Sequence, residues 1–298
     1  AQRFPDQVAF RDKRYGVWNE ITYGEFWTQV QYVTCALNFF GVEKTDKVAI
    51  HSENRPEWLI ADIGIQALGG ISVGLYPTNP PAEVKYLLSH SESKILFAED
   101  QEQVDKALQA IDSLPILEKI IYFEDRGLYN YDHPKLMSFD EFLEIGKSEY
   151  GSFPEYVDQQ LDQIEDEDVA FLVYTSGTTG NPKGVLYTHR STVLHAYGIN
   201  LKDAIPYGAK DVVRPVVPMF HVNAWGTPYA AAMCGTKFVF PGAKLDGESL
   251  TDLMNQEKVT ISLGVPTVWL LLLNHLRDSG KKLDTVQRLI IGGSACPR

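Results

Sequence analysis

Cysteine is scarce in this 298-residue chain, and its three residues follow no pattern that would bind a metal or build a disulfide framework. Cys35, Cys234 and Cys296 are odd in number and far apart in the sequence. A small disulfide scaffold or a zinc module needs cysteines at short, paired spacings, so both classes are excluded. We interpret the three thiols as small buried residues in a reducing compartment, which predicts a cytoplasmic location.

Positive charge is also scarce, and long apolar runs are missing. The 27 Lys and Arg against 39 Asp and Glu give a formal net charge of −12 and a pI near 5.0. Such a chain repels nucleic acid, so we predict no nucleic-acid partner and only local binding of polyanions. The longest apolar candidate, Val265 to Leu273, contains Pro266 and is far shorter than the roughly 20 residues of a membrane helix. We predict no transmembrane segment, which leaves only peripheral membrane contact.

Neither end of the chain reads as the end of a compact domain. The opening residues, Ala1 to Pro5, lack both a starting Met and an apolar signal segment. The closing residues, Arg288 to Arg298, read as a strand that runs into a glycine-rich turn. The sequence therefore predicts a fragment of a longer reading frame.

Strand-like and helix-like segments alternate from residue 47 onward, which predicts an α/β fold with doubly wound, parallel sheets. We predict a first subdomain over residues 1–168, ending in an acidic connecting segment with one short helix, and a second over residues 169–298. The predicted strands are 47–50, 71–75, 94–97, 120–123, 169–174, 184–188, 214–217, 237–240 and 260–263. The predicted helices are 54–68 (capped by Asn54), 81–89, 101–111, 139–147, 227–233, 247–256 and 267–273. The last of these helices is apolar on all faces, so we expect it to be wholly buried.

A loop rich in hydroxyl groups and glycine joins two of these strands. Glycines 177, 180 and 184 let backbone N–H groups approach an anion, and Lys183 adds a mobile ammonium. The P-loop motif needs glycine before the lysine and a hydroxyl residue after it, but Pro182 and Gly184 stand there, so a P-loop NTPase is disfavoured. A plain linker with a solvated lysine is the alternative. The density of donors favours a loop that holds the phosphates of a nucleotide.

Two further clusters follow predicted strands. His221, Asn223 and Trp225 alternate with small or apolar residues, and residues 291–295 form a second glycine-rich turn. A core histidine and a core tryptophan would be the simpler interpretation of the first cluster. Because α/β sheets bind ligands at the carboxyl ends of their strands, we expect all three loops to line one crevice.

The loop Thr175–Lys183 resembles the signature of the adenylate-forming superfamily, which includes acyl-CoA synthetases, firefly-luciferase-like enzymes and peptide-synthetase adenylation domains. Four further segments are similar to the fatty-acyl branch: Phe4–Ala9, Asn54–Trp58, Gly69–Asn79 and Pro218–Trp225. The resemblance implies two doubly wound subdomains of a large N-terminal domain, truncated before a small C-terminal domain.

The resemblance also implies the reaction. A fatty acid's carboxylate attacks the α-phosphate of ATP, pyrophosphate leaves, and the thiol of coenzyme A then displaces AMP. The substrate is the nucleophile, so the enzyme positions groups and stabilises phosphate charge, with Mg²⁺ as cofactor. Relatives in this branch are often homodimers.

Site roles follow from the resemblance residue by residue. Thr175 would contact magnesium and phosphate, and Lys183 would balance the phosphate charge. His221 would lie near the reacting carboxylate, with Asn223 beside it and Trp225 at the acyl tunnel, where it would act as a gate. The implied cradle of the β- and γ-phosphates is Ser176, Gly177, Thr178, Thr179 and Gly180, and the implied contacts to adenine and the acyl head are Gly292, Gly293 and Ser294.

Several expected parts are missing before Arg298: a Tyr-Gly-x-Thr-Glu segment, an aspartate for the ribose, a hinge and the lysine of the C-terminal domain. We therefore expect this chain alone to bind nucleotide weakly without turnover. An enzyme for aryl acids or amino acids is the near alternative, and a truncated product that only binds ligand is the more distant one. Trp225 and the apolar helix after Pro266 favour a long apolar acid.

Overall fold

The computed structural model describes residues 3–14, 16–175, 180–240 and 245–295. The strands in chain order are β1 Val8–Arg14, β2 Val17–Thr22, β3 Lys47–His51, β4 Ile71–Leu75, β5 Ser93–Ala98, β6 Lys119–Tyr122, β7 Leu136–Ser138, β8 Val169–Thr175, β9 Lys183–Thr188, β10 Val212–Pro215, β11 Lys237–Phe240, β12 Ile261–Gly264 and β13 Arg288–Ile291. The helices are α1 Tyr23–Phe39, α2 Pro56–Ala67, α3 Pro81–Ser91, α4 Gln101–Leu108, α5 Phe139–Ser152, α6 Tyr156–Leu161, α7 His189–Ile199, the single turn α8 Val222–Trp225, α9 Thr227–Cys234, α10 Gly247–Gln256 and α11 Pro266–Ser279.

Two largely parallel sheets form the frame. A seven-stranded sheet has the order β7-β6-β5-β3-β4-β8-β9, and a six-stranded sheet has the order β13-β12-β10-β11-β1-β2. In each sheet the one antiparallel strand, β9 or β2, is an edge strand paired with its neighbour in the chain. The remaining pairs are parallel, which requires long crossover connections, most of them helical here. The predicted α/β class with parallel sheets is confirmed.

Each sheet contains strands from both sides of the predicted subdomain boundary between residues 168 and 169. The first hairpin, β1 and β2, joins the sheet of β10 to β13, while β8 and β9 join the sheet of β3 to β7. The division into residues 1–168 and 169–298 stays a prediction about folding units, and it does not coincide with the division between the sheets. Periodicity along the chain carries no information on which sheet a strand joins.

The predicted strands match the structure closely, whereas the helices show two errors. Asn54 does not cap α2, which begins at Pro56 after Arg55 without a side-chain cap. Helix α11 is longer than predicted and is not wholly buried: its exposed face carries Leu270, Leu271 and Leu273 at 44%, 57% and 42% exposure. Only one side of α11 packs against other elements. The prediction was wrong because an apolar sequence does not show how many sides of a helix are covered by the rest of the protein.

Several elements were not predicted at all. These include the first hairpin and α1, although Thr22 and Glu25 form a capping box that marks the start of α1 in the sequence. The segment 124–168 holds β7 and α6 besides the predicted helix. Of the cysteines, Cys35 is buried and Cys234 is half-buried, and both are free, while Cys296 lies outside the described residues. No helix in the described part of the chain combines the length and apolar character needed to cross a bilayer.

Helices α1 and α5 pack closely on one side of the seven-stranded sheet. Gly146 in α5 is buried against the backbone of α1, and a Cβ atom there would overlap the carbonyl group of Tyr32. Gly151, one and a half turns further along α5, has no atom within 4 Å of the position a Cβ would take. The two glycines therefore separate the effect of packing from the effect of helix propensity.

We expect Gly146→Ala to lower the free energy of unfolding by about 1–3 kcal/mol, because α5 must move away from a backbone that cannot yield. Gly151→Ala in the same helix is the control and should raise it by about 0.5–1 kcal/mol, because alanine is the better helix former. Urea denaturation followed by circular dichroism measures both. Equal effects of the two substitutions would contradict this packing of α1 on α5.

Candidate active site

The stems of the predicted phosphate loop are fixed by α3. His90 and the hydroxyl of Tyr174 in β8 are hydrogen-bonded at 2.7 Å, and the hydroxyl of Tyr86 donates to the carbonyl of Pro182 at 3.2 Å. Thr175 and Lys183 face each other across the β8–β9 hairpin, and both are exposed. The helix thus holds both ends of a loop whose exposed stem carries one hydroxyl and one ammonium.

Most of the predicted phosphate cradle cannot be placed. Ser176, Gly177, Thr178 and Thr179 lie outside the described residues. Gly180 has a φ of 86°, in the left-handed region that favours glycine, and is exposed at the end of the loop. The predicted roles of these residues stay predictions.

The segment after β10 lies against the carboxyl edge of the seven-stranded sheet. Asn54 holds it there: its side-chain amide donates to the carbonyl of Val217 at 2.9 Å, and its oxygen accepts from the N–H of Met219 at 2.6 Å. Gly74 in β4 allows the close approach, because a Cβ atom there would be 3.2 Å from the Cα of Phe220. Asn54 therefore joins the two sheets instead of capping a helix.

His221, at the end of this segment, is exposed and hydrogen-bonds through Nδ1 to the hydroxyl of Tyr76. Tyr76 follows β4 and is held in turn by His51, whose Nε2 is 3.0 Å from its carbonyl oxygen. Burial lowers the pKa of His51 to about 4, so its ring is neutral at pH 7 and Nε2–H donates to that carbonyl. With the Tyr76 hydroxyl as donor to Nδ1, His221 keeps a proton on Nε2 that it can offer to a ligand.

The next four residues form a left-handed turn. Val222, Asn223, Ala224 and Trp225 have φ values of 46°, 45°, 49° and 58°. Each such residue with a Cβ costs about 1–2 kcal/mol relative to a right-handed conformation. A run of four persists only where surrounding contacts over-determine it, and such conformations concentrate at ligand sites.

A buried hydrogen-bond network holds this turn. The amide of Asn223, only 4% exposed, donates to the hydroxyl of Tyr229, which donates to Oδ2 of Asp62 at 2.8 Å. Ser72 in β4 donates to the other oxygen of Asp62 at 2.5 Å. Asn223, predicted to contact substrate, thus has its side chain engaged in the protein interior. Its place in the structure supports the turn that carries Trp225.

Trp225 packs against the third predicted loop. A Cβ atom on Gly292 would be 2.6 Å from Cη2 of Trp225, so only glycine fits under the indole. The carbonyl of Trp225 accepts a hydrogen bond from Nε2–H of His195 in α7 at 3.1 Å. Gly293, with a φ of 84°, and the exposed Ser294 follow directly. The second and third predicted clusters therefore meet.

The phosphate loop begins beside this pair of clusters. Strands β4 and β8 are adjacent and parallel, with Gly74 opposite Val173, so Tyr76 and Thr175 leave the sheet side by side. Among the described residues, no hydrogen bond or ring contact joins Thr175 or Lys183 to His221. Sheet topology therefore brings the stem of the phosphate loop beside Tyr76, and one crevice lined by all three loops stays a prediction.

Sequence reasoning missed the supporting residues His51, Asp62, Tyr76, His195 and Tyr229. The one signal available was Gly74, because a glycine within a buried strand marks a close backbone approach. The others are distant in the sequence from the residues they support, and no local pattern connects them.

The whole chain, residues 1–298, matches the model of a family described as AMP-binding enzyme. The chain belongs to this family. Among the relatives of this AMP-binding enzyme is the 3-methylmercaptopropionyl-CoA ligase of Ruegeria lacuscaerulensis, 36% identical over 286 residues that cover 95% of the chain and 51% of the relative. Another is the long-chain-fatty-acid–CoA ligase of Thermus thermophilus, 38% identical over 280 residues that cover 93% of the chain and 48% of the relative. The chain thus spans about half the length of these relatives.

A solved structure shares the fold of this AMP-binding enzyme. The anthranilate CoA ligase AuaEII, crystallised in complex with anthranoyl-AMP, superposes with a TM-score of 0.83 at 24% sequence identity, over 99% of the chain and 54% of that structure. The two sheets therefore have the same fold as the corresponding half of that ligase.

The predicted magnesium contact of this AMP-binding enzyme is a single hydroxyl group. Within the described ranges, no group of three or more His, Cys, Asp or Glu side chains is arranged to hold a metal ion. Mg²⁺ takes six oxygen ligands, including one or two carboxylates and the phosphates of a substrate. Thr175 could add one oxygen to such a set, but the described residues do not form a magnesium site by themselves.

We expect the Asp62 network to give the AMP-binding enzyme a measurable pH dependence. Burial raises the pKa of Asp62 from 3.8 to about 6. The stability that this group contributes is therefore fully present below about pH 4 and is lost as the pH rises through about 6. Relative to Asp62→Asn, the free energy of unfolding of the unmodified protein should fall by about 3 kcal/mol between about pH 4 and pH 7, at about 1.4 kcal/mol per pH unit of pKa difference.

Chemical denaturation at a series of pH values measures this difference. The exposed Asp203 provides the control, since Asp203→Asn should leave the profile of the unmodified protein in place. A constant difference between the Asp62→Asn variant and the unmodified protein at all pH values would show that Asp62 is ionised to the same extent in the folded and unfolded states.

Proposed function

We propose that the complete protein is an ATP-dependent fatty-acid–CoA ligase, which converts a fatty acid to its acyl-adenylate and then to acyl-CoA. The observation that carries the proposal is that the stem of the phosphate loop lies next to the residues that hold His221, while Trp225 packs on the third predicted loop. The stem of the phosphate loop leaves β8 beside Tyr76, Tyr76 hydrogen-bonds to His221, and Trp225 packs on Gly292. Membership of the AMP-binding family supports the same reading of the phosphate loop.

The proposed first step joins the two substrates. A carboxylate oxygen forms a bond to the α-phosphorus of ATP, the bond between the α-phosphorus and the bridging oxygen breaks, and pyrophosphate leaves with the negative charge. The ammonium of Lys183 and the hydroxyl of Thr175, both exposed at the stem, would stabilise charge on the phosphates. Nε2–H of His221 would orient the carboxylate.

The proposed second step uses coenzyme A. Its sulfur forms a bond to the acyl carbonyl carbon, AMP leaves with its phosphate charge, and the thiol proton passes to solvent. In the first step, bound Mg²⁺ would neutralise part of the triphosphate charge, and the hydroxyl of Thr175 would contact it.

The substrate class needs a separate argument, because the relatives are named for different acids. One is a 3-methylmercaptopropionyl-CoA ligase and another a long-chain-fatty-acid–CoA ligase. We favour a fatty acid because Trp225, on a turn held by buried contacts, offers an apolar wall next to Gly292. A ligase for aryl acids is the alternative, as is a chain that binds nucleotide and acyl groups without catalysis.

Further proposals concern the protein in the cell. We propose a cytoplasmic, homodimeric enzyme with peripheral contact to membranes as the source of its apolar substrate. The low cysteine content and the implied branch of the family support this setting. Gel filtration of the complete protein with light scattering tests the dimer, and co-sedimentation with vesicles tests the membrane contact.

Pyrophosphate release and trapping of acyl-adenylate by hydroxylamine test the proposed activity. The full-length gene product is incubated with ATP, Mg²⁺ and acids from three classes: fatty acids of increasing length, benzoates, and 3-methylmercaptopropionate. Activity highest with medium or long fatty acids supports the proposal, while a preference for benzoates favours the aryl alternative. Absence of adenylate with every acid, together with binding of an acyl-adenylate analogue in calorimetry, would support the binding-only alternative.

We expect Lys183→Ala to lower the rate of adenylation by the full-length protein by a factor of about 100 or more, because a preorganised charge at the phosphates is lost. The fold should be intact, since Lys183 is exposed. Lys202→Ala, at another exposed position, is the matched control and should retain the full rate. A Lys183→Ala variant as active as the control would identify Lys183 as an ordinary solvated lysine.

We expect Trp225→Ala to change the preference for acyl chain length more than the rate with the best acid, because it removes the wall that packs on Gly292. The ratio of kcat/KM for long and short fatty acids is the measurement. Trp27→Ala, at a half-buried tryptophan of α1, is the control and should not change this ratio. A uniform loss at every chain length would reject Trp225 as part of the acyl tunnel.

A further inference from the structure

Arg214, in the middle of the six-stranded sheet, is a buried charge that has no partner among the described residues. Its side chain is fully buried in β10, and Nε, Nη1 and Nη2 have no hydrogen-bond partner among the described residues. No carboxylate of the described chain forms an ion pair with it. By contrast, Arg11 and Arg14 of β1 and Arg55 before α2 each form ion pairs with carboxylates. Burial lowers the pKa of Arg214 to about 9, which leaves it charged at pH 7.

An uncompensated guanidinium is a large energetic defect. Removal of a charge from water costs several kcal/mol, and five N–H donors without acceptors add to this cost. Folded proteins compensate buried arginine with carboxylate or phosphate groups, which match its planar fork. Binding of an anion here would therefore offset a large part of the free-energy cost of burying the guanidinium.

A cavity of about 300 Å³ lies beside Arg214, between the two sheets. It is lined at the carboxyl ends of β1, β3, β5, β10 and β11, the strand ends at which open α/β sheets bind ligands. At about 30 Å³ per water, it holds about ten waters or one small organic anion. Its lining includes no residue of the phosphate loop and none of 217–226, so it is separate from the candidate active site.

The other charged groups of the cavity are largely committed to one another. Arg55 pairs with Glu57 and with Glu124, at 2.8 and 2.9 Å, and Arg14 with Asp12 at 2.8 Å. Glu53 is different, since its side chain makes no hydrogen bond or ion pair among the described residues. Burial and the neighbouring Glu99 raise the pKa of Glu53. When ionised, Glu53 would repel an anion in the cavity that it lines.

We propose that this cavity binds the oxyanion of a small ligand, a carboxylate or a phosphate group, with the guanidinium of Arg214 as its principal partner. The backbone that frames it is well defined, because Asn54, which lines the cavity, also holds Val217 and Met219. The proposal does not depend on acyl activation, and loss of ligase activity would not affect it.

Anion-dependent thermal stability tests the site. The unfolding temperature is measured with increasing acetate or phosphate against chloride at equal ionic strength. A Lys183→Ala background weakens anion binding at the phosphate loop. We expect saturable stabilisation in this background, and an apparent Kd raised about tenfold or more by Arg214→Met, which removes the charge but keeps an apolar side chain of similar length. Arg190→Met, at an exposed arginine paired with Asp166 and Glu167, should leave the Kd unchanged.

Each outcome bears on the proposal. Saturation by acetate alone identifies a carboxylate site, saturation by phosphate alone a phosphate site, and saturation by both a general oxyanion site. The same response with and without Arg214 overturns the proposal, as does the absence of saturation. If Arg214→Met does not fold, Glu53→Gln decides: tighter anion binding by a few-fold supports the site, whereas loss of stability without tighter binding shows that Glu53 itself neutralises Arg214.

Discussion

The contact between the segment after β10 and the carboxyl edge of the seven-stranded sheet is the constraint on which the site depends. Asn54 hydrogen-bonds to this segment through both the nitrogen and the oxygen of its side-chain amide. Gly74 lets the backbone of the segment come within van der Waals distance of β4. Each sheet alone would present loops to solvent. Joined in this way, the two sheets bring strand ends close together, and strand ends are where ligands bind in open α/β folds.

The left-handed turn that follows shows how buried polar groups specify a conformation that its residues do not favour. Four residues with positive φ cost several kcal/mol in total by the usual figure of about 1–2 kcal/mol each. The chain from Asn223 through Tyr229 to Asp62 opposes this cost, because release of the turn would leave those groups buried without partners. The strain therefore stays in place beside Trp225 and His221, the two residues that would orient the substrate under the proposed function.

Asp62 and Arg214 are two buried charges with opposite surroundings. Asp62 accepts hydrogen bonds from Ser72 and Tyr229, so the fold satisfies it internally and burial only moves its pKa. Arg214 has no such partners in the described chain, and it faces a cavity large enough for a small ligand. Asp62 therefore stabilises the protein's own geometry, whereas under our proposal a bound anion supplies the partner of Arg214.

The sequence by itself determined the α/β class, most of the strands and the three loops that carry the candidate site. These features leave local signals: apolar runs of strand length, glycine and hydroxyl clusters at strand ends, and capping residues. Only the tertiary structure decided which sheet each strand joins, that Asn54 binds the segment after β10, and that the side chain of Asn223 faces the interior. It also decided that α11 has an exposed face and that the guanidinium of Arg214 has no hydrogen-bond partner within the described ranges. These properties depend on contacts between residues far apart in the chain, and no periodicity within a window of the sequence encodes them.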